Sequence, residues 1–306
     1  MTDAAPGRTL RGVAFGLMAV AGWACCNVGT ELARAEGFRP ADLTALRFGV
    51  AALVLLPWFA AAGRRLPQWR LMLFAALVGS PFALIFNTVF QLAPLSHAVV
   101  IGPGISVLVV LALARFVDGQ RTPLLRAAGL ALLLAGLVAI GADRDDTAKA
   151  SGLRAVLGDP CFVVTGSLRG IFSWSLARWR MPPLQATAGL ALCAAVAFIP
   201  LWLMVWGVPD LPAAAWAHQA VAQGLIGGSG APVAFAVPLA ALGAGRGADF
   251  NAPVPPAAVV LMAIPVAGIL PNGLQWAGVA LAPAGLVPAM AGPGMQRTAR
   301  PGRPGR

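Results

Sequence analysis

Residues 127–140 read AAGLALLLAGLVAI, and residues 276–289 read WAGVALAPAGLVPA. The two stretches agree at eight of fourteen positions and stand 149 residues apart in a chain of 306. Other pieces echo in the same order. AALVLLP (Ala51–Pro57) matches AAVAFIP (Ala194–Pro200) at a separation of 143, terminal proline included. LAPLSHAVVIGP (Leu92–Pro103) lines up with LGAGRGADFNAP (Leu242–Pro253) at 150, sharing only Leu, Ala and Pro. Because order and offset hold throughout, the chain reads as two halves of one design.

The solvent of that design is lipid. Apolar residues make up 58% of the chain, charged residues 11%, and mean hydropathy is +0.79. A soluble domain is about 25% charged, so too little polar surface exists to cover a water-soluble globule. A bilayer core takes about 20 apolar residues per helix. Ten stretches of that kind follow one another, roughly at 11–31, 41–62, 70–92, 96–117, 123–141, 153–176, 184–206, 219–242, 250–270 and 273–291. The first is as long as a full span and more spans follow, so it is not read as a cleavable signal.

Charge between the spans gives their direction. Alternate connections carry Arg8 and Arg11; Arg64, Arg65 and Arg70; Arg115, Arg121 and Arg126; Arg178 and Arg180; Arg246; and Arg297, Arg300, Arg303 and Arg306. The other connections are mixed or acidic: Glu31 to Asp42, Asp143 to Lys149, and Asp210. The positive-inside rule then puts both termini in the cytoplasm. The net charge of +11 is spread over these connections and not gathered on one face, which argues against a nucleic-acid partner. The expected architecture is an all-α integral membrane protein. A cytoplasmic N-terminus (1–10) precedes a first five-helix repeat (11–141), a linker (142–152), a second repeat (153–291) and a basic, disordered cytoplasmic tail (292–306). An odd number of spans per half makes the repeats insert in opposite senses, as in secondary transporters that bind substrate near the midplane between repeats.

Two five-span halves, about 300 residues, and a G-x-A-L-x-x-A-G-L-V-type helix closing each half resemble the EamA family of the drug/metabolite transporter superfamily. Trp23 and Asn27 in span 1, Leu46-Arg47-Phe48 at the start of span 2 and Gly102-Pro103-Gly104 in span 4 add to the likeness, which covers residues 10–290. The resemblance implies a bacterial inner-membrane exporter of amino acids or other small metabolites, aromatic amino-acid exporters being among the relatives. Family members often end spans 4 and 9 with Gly-Glu. Here span 4 ends in Asp118-Gly119, and span 9 ends in Ile269-Leu270-Pro271 without an acid. Nine prolines between Pro232 and Pro288 imply that spans 8 to 10 are broken or less stable than their counterparts.

Candidate transport residues are the polar ones inside the spans. Arg169 sits deep in span 6, where a charge costs about 2.5–3.5 kcal/mol on insertion scales. With Thr165 and Ser173 it forms a stripe at i, i+4, i+8. A guanidinium there can hold a substrate carboxylate, or it can snorkel to an interface. Trp23 and Asn27, at i and i+4, line a cavity or pack in the core. Asn87 and Gln91 in span 3, on one face with Ser80, bind substrate or join helices. His97, at the start of span 4, is a substrate ligand and proton carrier or an interfacial residue. Asp159, ahead of Pro160, is a helix N-cap or an intramembrane acid for proton coupling. Arg47 fixes topology or caps a neighbour. Pro103 and Pro253 hold matching places in spans 4 and 9 and are expected to act as hinges.

Other chemistries lack their parts. Two histidines in different halves, with no GxSxG, HExxH or phosphate-cradling loop, do not make an enzyme. Cys25, Cys26, Cys161 and Cys193 sit in apolar runs without metal-ligand spacing, so they read as buried small hydrophobes. No cofactor or metal is expected. The partners are a small-molecule substrate and the bilayer, and the sequence does not give an oligomeric state.

Overall fold

The computed structural model describes residues 6–62, 67–92, 95–141, 153–263, 272–291 and 296–297. The linker 142–152 lies outside them, as does all of the tail except Gln296–Arg297, which pairs antiparallel with Gln120–Arg121. The rest is helix. Spans 1 and 2 are Pro6–Ala35 and Pro40–Ala62; spans 4 to 7 are Leu95–Phe116, Leu124–Gly141, Leu153–Arg178 and Pro183–Val205. Span 10, Gly273–Ala291, runs unbroken through Pro283 and Pro288. Outward faces carry large apolar side chains such as Leu53, Phe116, Val138, Met204 and Val287, as lipid requires.

Three spans are interrupted. Span 3 is Gln68–Val78 and Ser80–Leu92, broken at Gly79. Span 8 begins as Ala213–Gln219, opens into a π-helical segment Ala220–Gly230, and closes as Ala231–Leu242. The wide segment is glycine-rich for a steric reason. Gly224 meets Val50, Gly227 meets the Cys26 sulfur, and Gly228 meets the backbone of Arg47, so side chains there would keep span 8 off spans 1 and 2. Span 9 is Ala244–Ala248, a 3-10 turn Asp249–Asn251, and Val254–Ala263. Breaks or lower stability were expected across spans 8 to 10; among the described residues span 10 is continuous, span 8 is interrupted by its π-helical segment, and span 9 breaks just before Pro253. Pro103, its counterpart in span 4, lies inside a continuous helix.

Packing follows the repeat. Numbering spans 1 to 10, the main contacts have a partner five spans on: 1 with 8 and 6 with 3, 1 with 9 and 6 with 4, 2 with 8 and 7 with 3. Spans 2 and 7 pack on each other, as do spans 5 and 10, so both pairs map onto themselves. In the 5–10 pair a Cβ on Gly129 would stand 2.7 Å from the Gly285 carbonyl oxygen, and one on Gly136 3.0 Å from that of Gly278. The first glycine of each stretch meets the second of the other, so the two helices run antiparallel. The two five-helix repeats therefore insert in opposite senses.

Candidate functional site

Four side chains from four helices meet at mid-bundle. Arg169 of span 6 lies between two ring faces, its guanidinium carbon 4.4 Å from the Trp23 centroid and 5.5 Å from that of Phe82. Arg47 of span 2 joins them, and these four residues border two cavities. The first, about 650 Å³ counting its mouth, adds Asn27, Phe86, Gly102, Pro103, Thr165 and Asn251. The second, about 610 Å³, adds Val78, Phe172, Thr187, Gly228, Pro232 and Phe235.

Chain direction places the cavities on opposite sides of the cluster. Asn27 is one turn beyond Trp23 toward Ala35, Phe86 one turn beyond Phe82 toward Leu92, and Thr165 one turn before Arg169 toward Leu153. All three steps point to the end of the bundle where span 1 leaves and span 2 enters. Val78 and Phe172 step the other way. The Arg169–Trp23–Phe82 sandwich is thus a partition between two half-cavities.

Hydrogen bonds hold both arginines. Arg169 Nη1 donates to Asn251 Oδ1 at 3.2 Å, and Asn251 is fixed by its own amide on the Ala248 carbonyl. Arg47 Nη2 donates to Gln223 Oε1 at 3.0 Å and to the Cys26 sulfur at 2.7 Å. Gln223, on the π segment, is turned by donating to Thr30 Oγ1 and the Cys26 carbonyl. Cys26, expected as a plain hydrophobe, is therefore a member of a polar network. Arg47, expected to fix topology or cap a neighbour, is a cavity residue with its Nε buried and, among the described residues, without a partner.

The remaining expected residues divide. Trp23, Asn27, Thr165, Arg169 and Pro103 line the first cavity. Ser173 does not; it is wholly buried and donates to the Arg169 carbonyl. Asn87 donates to Thr44 Oγ1 at 3.2 Å, and Ser80 to the Ala194 carbonyl at 3.0 Å, so both join helices away from the cavities. Pro253 is buried ahead of the second helix of span 9 and borders neither. Asp159 is not an N-cap, because span 6 starts at Leu153 and carries Pro160 inside it. The side chains of Asp159, Gln91 and His97 lie outside the described residues.

One pair had no forecast. Arg126, counted with the basic connections, is wholly buried in span 5 and donates through Nη2 to Asp249 at 2.8 and 3.0 Å. Asp249 opens the 3-10 turn that ends in Asn251. A single turn of span 9 therefore binds span 5 at one end and the Arg169 cluster at the other. Among the described residues no group of three or more His, Cys, Asp or Glu is placed to hold a metal.

Residues 10–142 match the model of the EamA-like transporter family. A solved structure, described only as the crystal structure of a protein, aligns with a TM-score of 0.70 over 92% of this chain and 97% of its own. At 20% identity that likeness carries the fold alone. No curated protein matches the chain. The first half of the chain is thus similar to the EamA-like transporter family, over residues 10–142 of 306.

Proposed function

We propose that this protein is a secondary transporter that exports amino acids or related small carboxylate-bearing metabolites across a bacterial inner membrane by alternating access. The observation that carries the reading is Arg169, a cation buried at mid-bundle whose polar partner among the described residues is the neutral Asn251. A cation in a membrane interior is expensive unless it faces a functional cavity, and a substrate carboxylate is the partner it is shaped to take. Half-cavities on either side of the Arg169 partition support alternating access: opening one side while closing the other exposes the same cluster to each face in turn. On the positive-inside orientation, the Asn27–Phe86 cavity faces the periplasm and the Phe172–Thr187 cavity the cytoplasm. Pro103 and Pro253 are the proposed hinges of spans 4 and 9, and His97 and Asp159 the proposed proton carriers.

Counterflow in proteoliposomes tests this. Vesicles preloaded with unlabelled amino acids should take up labelled Phe, Trp, Thr, Ala or Lys saturably, and Arg169→Ala should abolish that uptake while keeping the folded state. Uptake that is absent from folded wild type, or untouched by Arg169→Ala, would remove the amino-acid reading.

A further inference from the structure

Resting on the reading above, we infer that the substrate is an organic dianion, held by Arg169 and Arg47 together. Both guanidiniums border both half-cavities. Neither forms an ion pair among the described residues, where the pairs are Arg34–Glu31, Arg39–Asp42, Arg126–Asp249 and Arg178–Asp118. Arg47 is 8% exposed; among the described residues its Nη2 meets a carboxamide and a thiol and its Nε has no partner. Arg169 meets a carboxamide and two ring faces. Among the described residues, two cations thus share one membrane cavity with neutral dipoles and ring faces around them. Buried charge is tolerated when it is paired, and here the missing partner is the cargo. A single carboxylate leaves one positive charge uncompensated; two negative groups compensate both. The guanidinium fork can donate to two oxygens of a carboxylate or of a phosphate.

The rest of the lining agrees. The described walls of both cavities contain no Asp or Glu to receive an ammonium. Two of the ring faces that could attract one, those of Trp23 and Phe82, carry Arg169 instead. Beyond the two arginines the described walls are mostly apolar, with Phe86 in the first cavity, Phe48, Phe172 and Phe235 in the second and Phe82 in both, which suits a short carbon frame joining the two charges. The Gln223–Thr30–Cys26 network fixes where the Arg47 fork points, so Arg47 is a built anchor and not a loose charge.

The experiment is counterflow with four labelled probes in parallel: phenylalanine (one carboxylate, one ammonium), glutamate (two carboxylates, one ammonium), succinate (two carboxylates) and glycerol 3-phosphate (one phosphate ester). Succinate or glycerol 3-phosphate should exceed phenylalanine at least tenfold, and the better of the two identifies the anionic group. Arg47→Gln should lower the ratio of dianion to phenylalanine uptake at least tenfold, and Arg47→Lys, which keeps charge but not the fork, should fall between. Thermal stabilisation of the detergent-solubilised protein by each probe gives the same ranking if Arg47→Gln proves poorly active. Phenylalanine carried as well as the dianions, or a ratio unmoved by Arg47→Gln, would overturn the dianion while leaving the amino-acid reading in place. Preference for glutamate over succinate would also overturn it, by revealing an ammonium site. Folded protein that moves none of the four would overturn both.

Discussion

Gly136 and Gly278 touch backbone to backbone: a Cβ on Gly278 would stand 2.5 Å from the Gly136 carbonyl oxygen, and one on Gly136 3.0 Å from that of Gly278. Small residues at such crossings let helices approach in a membrane, where apolar burial alone does not drive association. Gly278→Leu should therefore lower stability by more than the about 1–3 kcal/mol of ordinary overpacking, because the obstacle is backbone and cannot rotate away. Gly273→Leu, on the same helix with open space beside it, should be near neutral. Thermal unfolding in detergent, comparing the two variants, measures the difference.

The buried Arg126–Asp249 pair should behave as one unit. Removing either partner leaves a charge stranded in a dry interior, which costs about 3–5 kcal/mol. Arg126→Leu and Asp249→Leu should each destabilise by that order, and the double variant should recover much of the loss, because neither charge remains. Additive losses in the double variant would mean that each residue acts through other partners. The cycle can be read by chemical denaturation of protein in mild detergent.

How far the sequence reached depends on what each feature needs. Spans 1, 2, 4 to 7 and 10 need only length and apolar character, and their boundaries lie in the sequence within a few residues. The repeat was legible because Gly129, Gly136, Gly278 and Gly285 must stay small for the 5–10 crossing to close. The π segment of span 8 was not legible, since Ala220–Gly230 is as apolar and glycine-rich as its neighbours and its winding answers to spans 1 and 2. In the site, Arg169 stood out as a charge deep inside an apolar run. Arg47 did not, although as the eighth residue of its helix it faces the same insertion cost; charges near a span's start are easily read as interfacial. Asp249 and Asn251 were hidden because the break in span 9 draws them inward, and no periodicity marks a break.

Asp42 should be the main support of the bundle end where spans 1 and 2 join. Its carboxylate is wholly buried and accepts from the Arg39 backbone N–H at 2.8 Å, Arg39 Nε at 2.9 Å and Trp202 Nε1 at 2.8 Å. The backbone bond is half of a capping box, with the acid three residues past the N-cap. Asp42 raises the Arg39 pKa through that hydrogen-bonded pairing. Arg39 also donates to the carbonyls of Trp206 and Gly207, carrying the tie to the end of span 7. Asp42→Ala should cost about 3 kcal/mol, since it strands several donors at once. Arg39→Ala should cost less, because Arg39 is partly exposed. Equal losses in thermal unfolding would mean that the Trp202 bond contributes little.

Trp23 should matter to transport in proportion to the ring face it gives Arg169. A desolvated cation–π contact is worth about 0.5–2 kcal/mol, with tryptophan the strongest partner; at about 1.4 kcal/mol per tenfold, that is a change of about 2- to 30-fold in affinity. Trp23→Phe keeps a ring and should lose only the lower part of that range. Trp23→Leu keeps apolar bulk but offers no π face, so Arg169 gains freedom and the partition between the half-cavities loosens. Two readouts separate the consequences. Substrate affinity in counterflow should fall in the order wild type, Phe, Leu, because the guanidinium is less well held for its anion. Thermal stability should fall for both variants, because Trp23 also packs on Phe235 at 4.9 Å. A loss of stability with affinity unchanged would make Trp23 a core residue only. A loss of affinity that is larger for Leu than for Phe would make it the residue that orients Arg169.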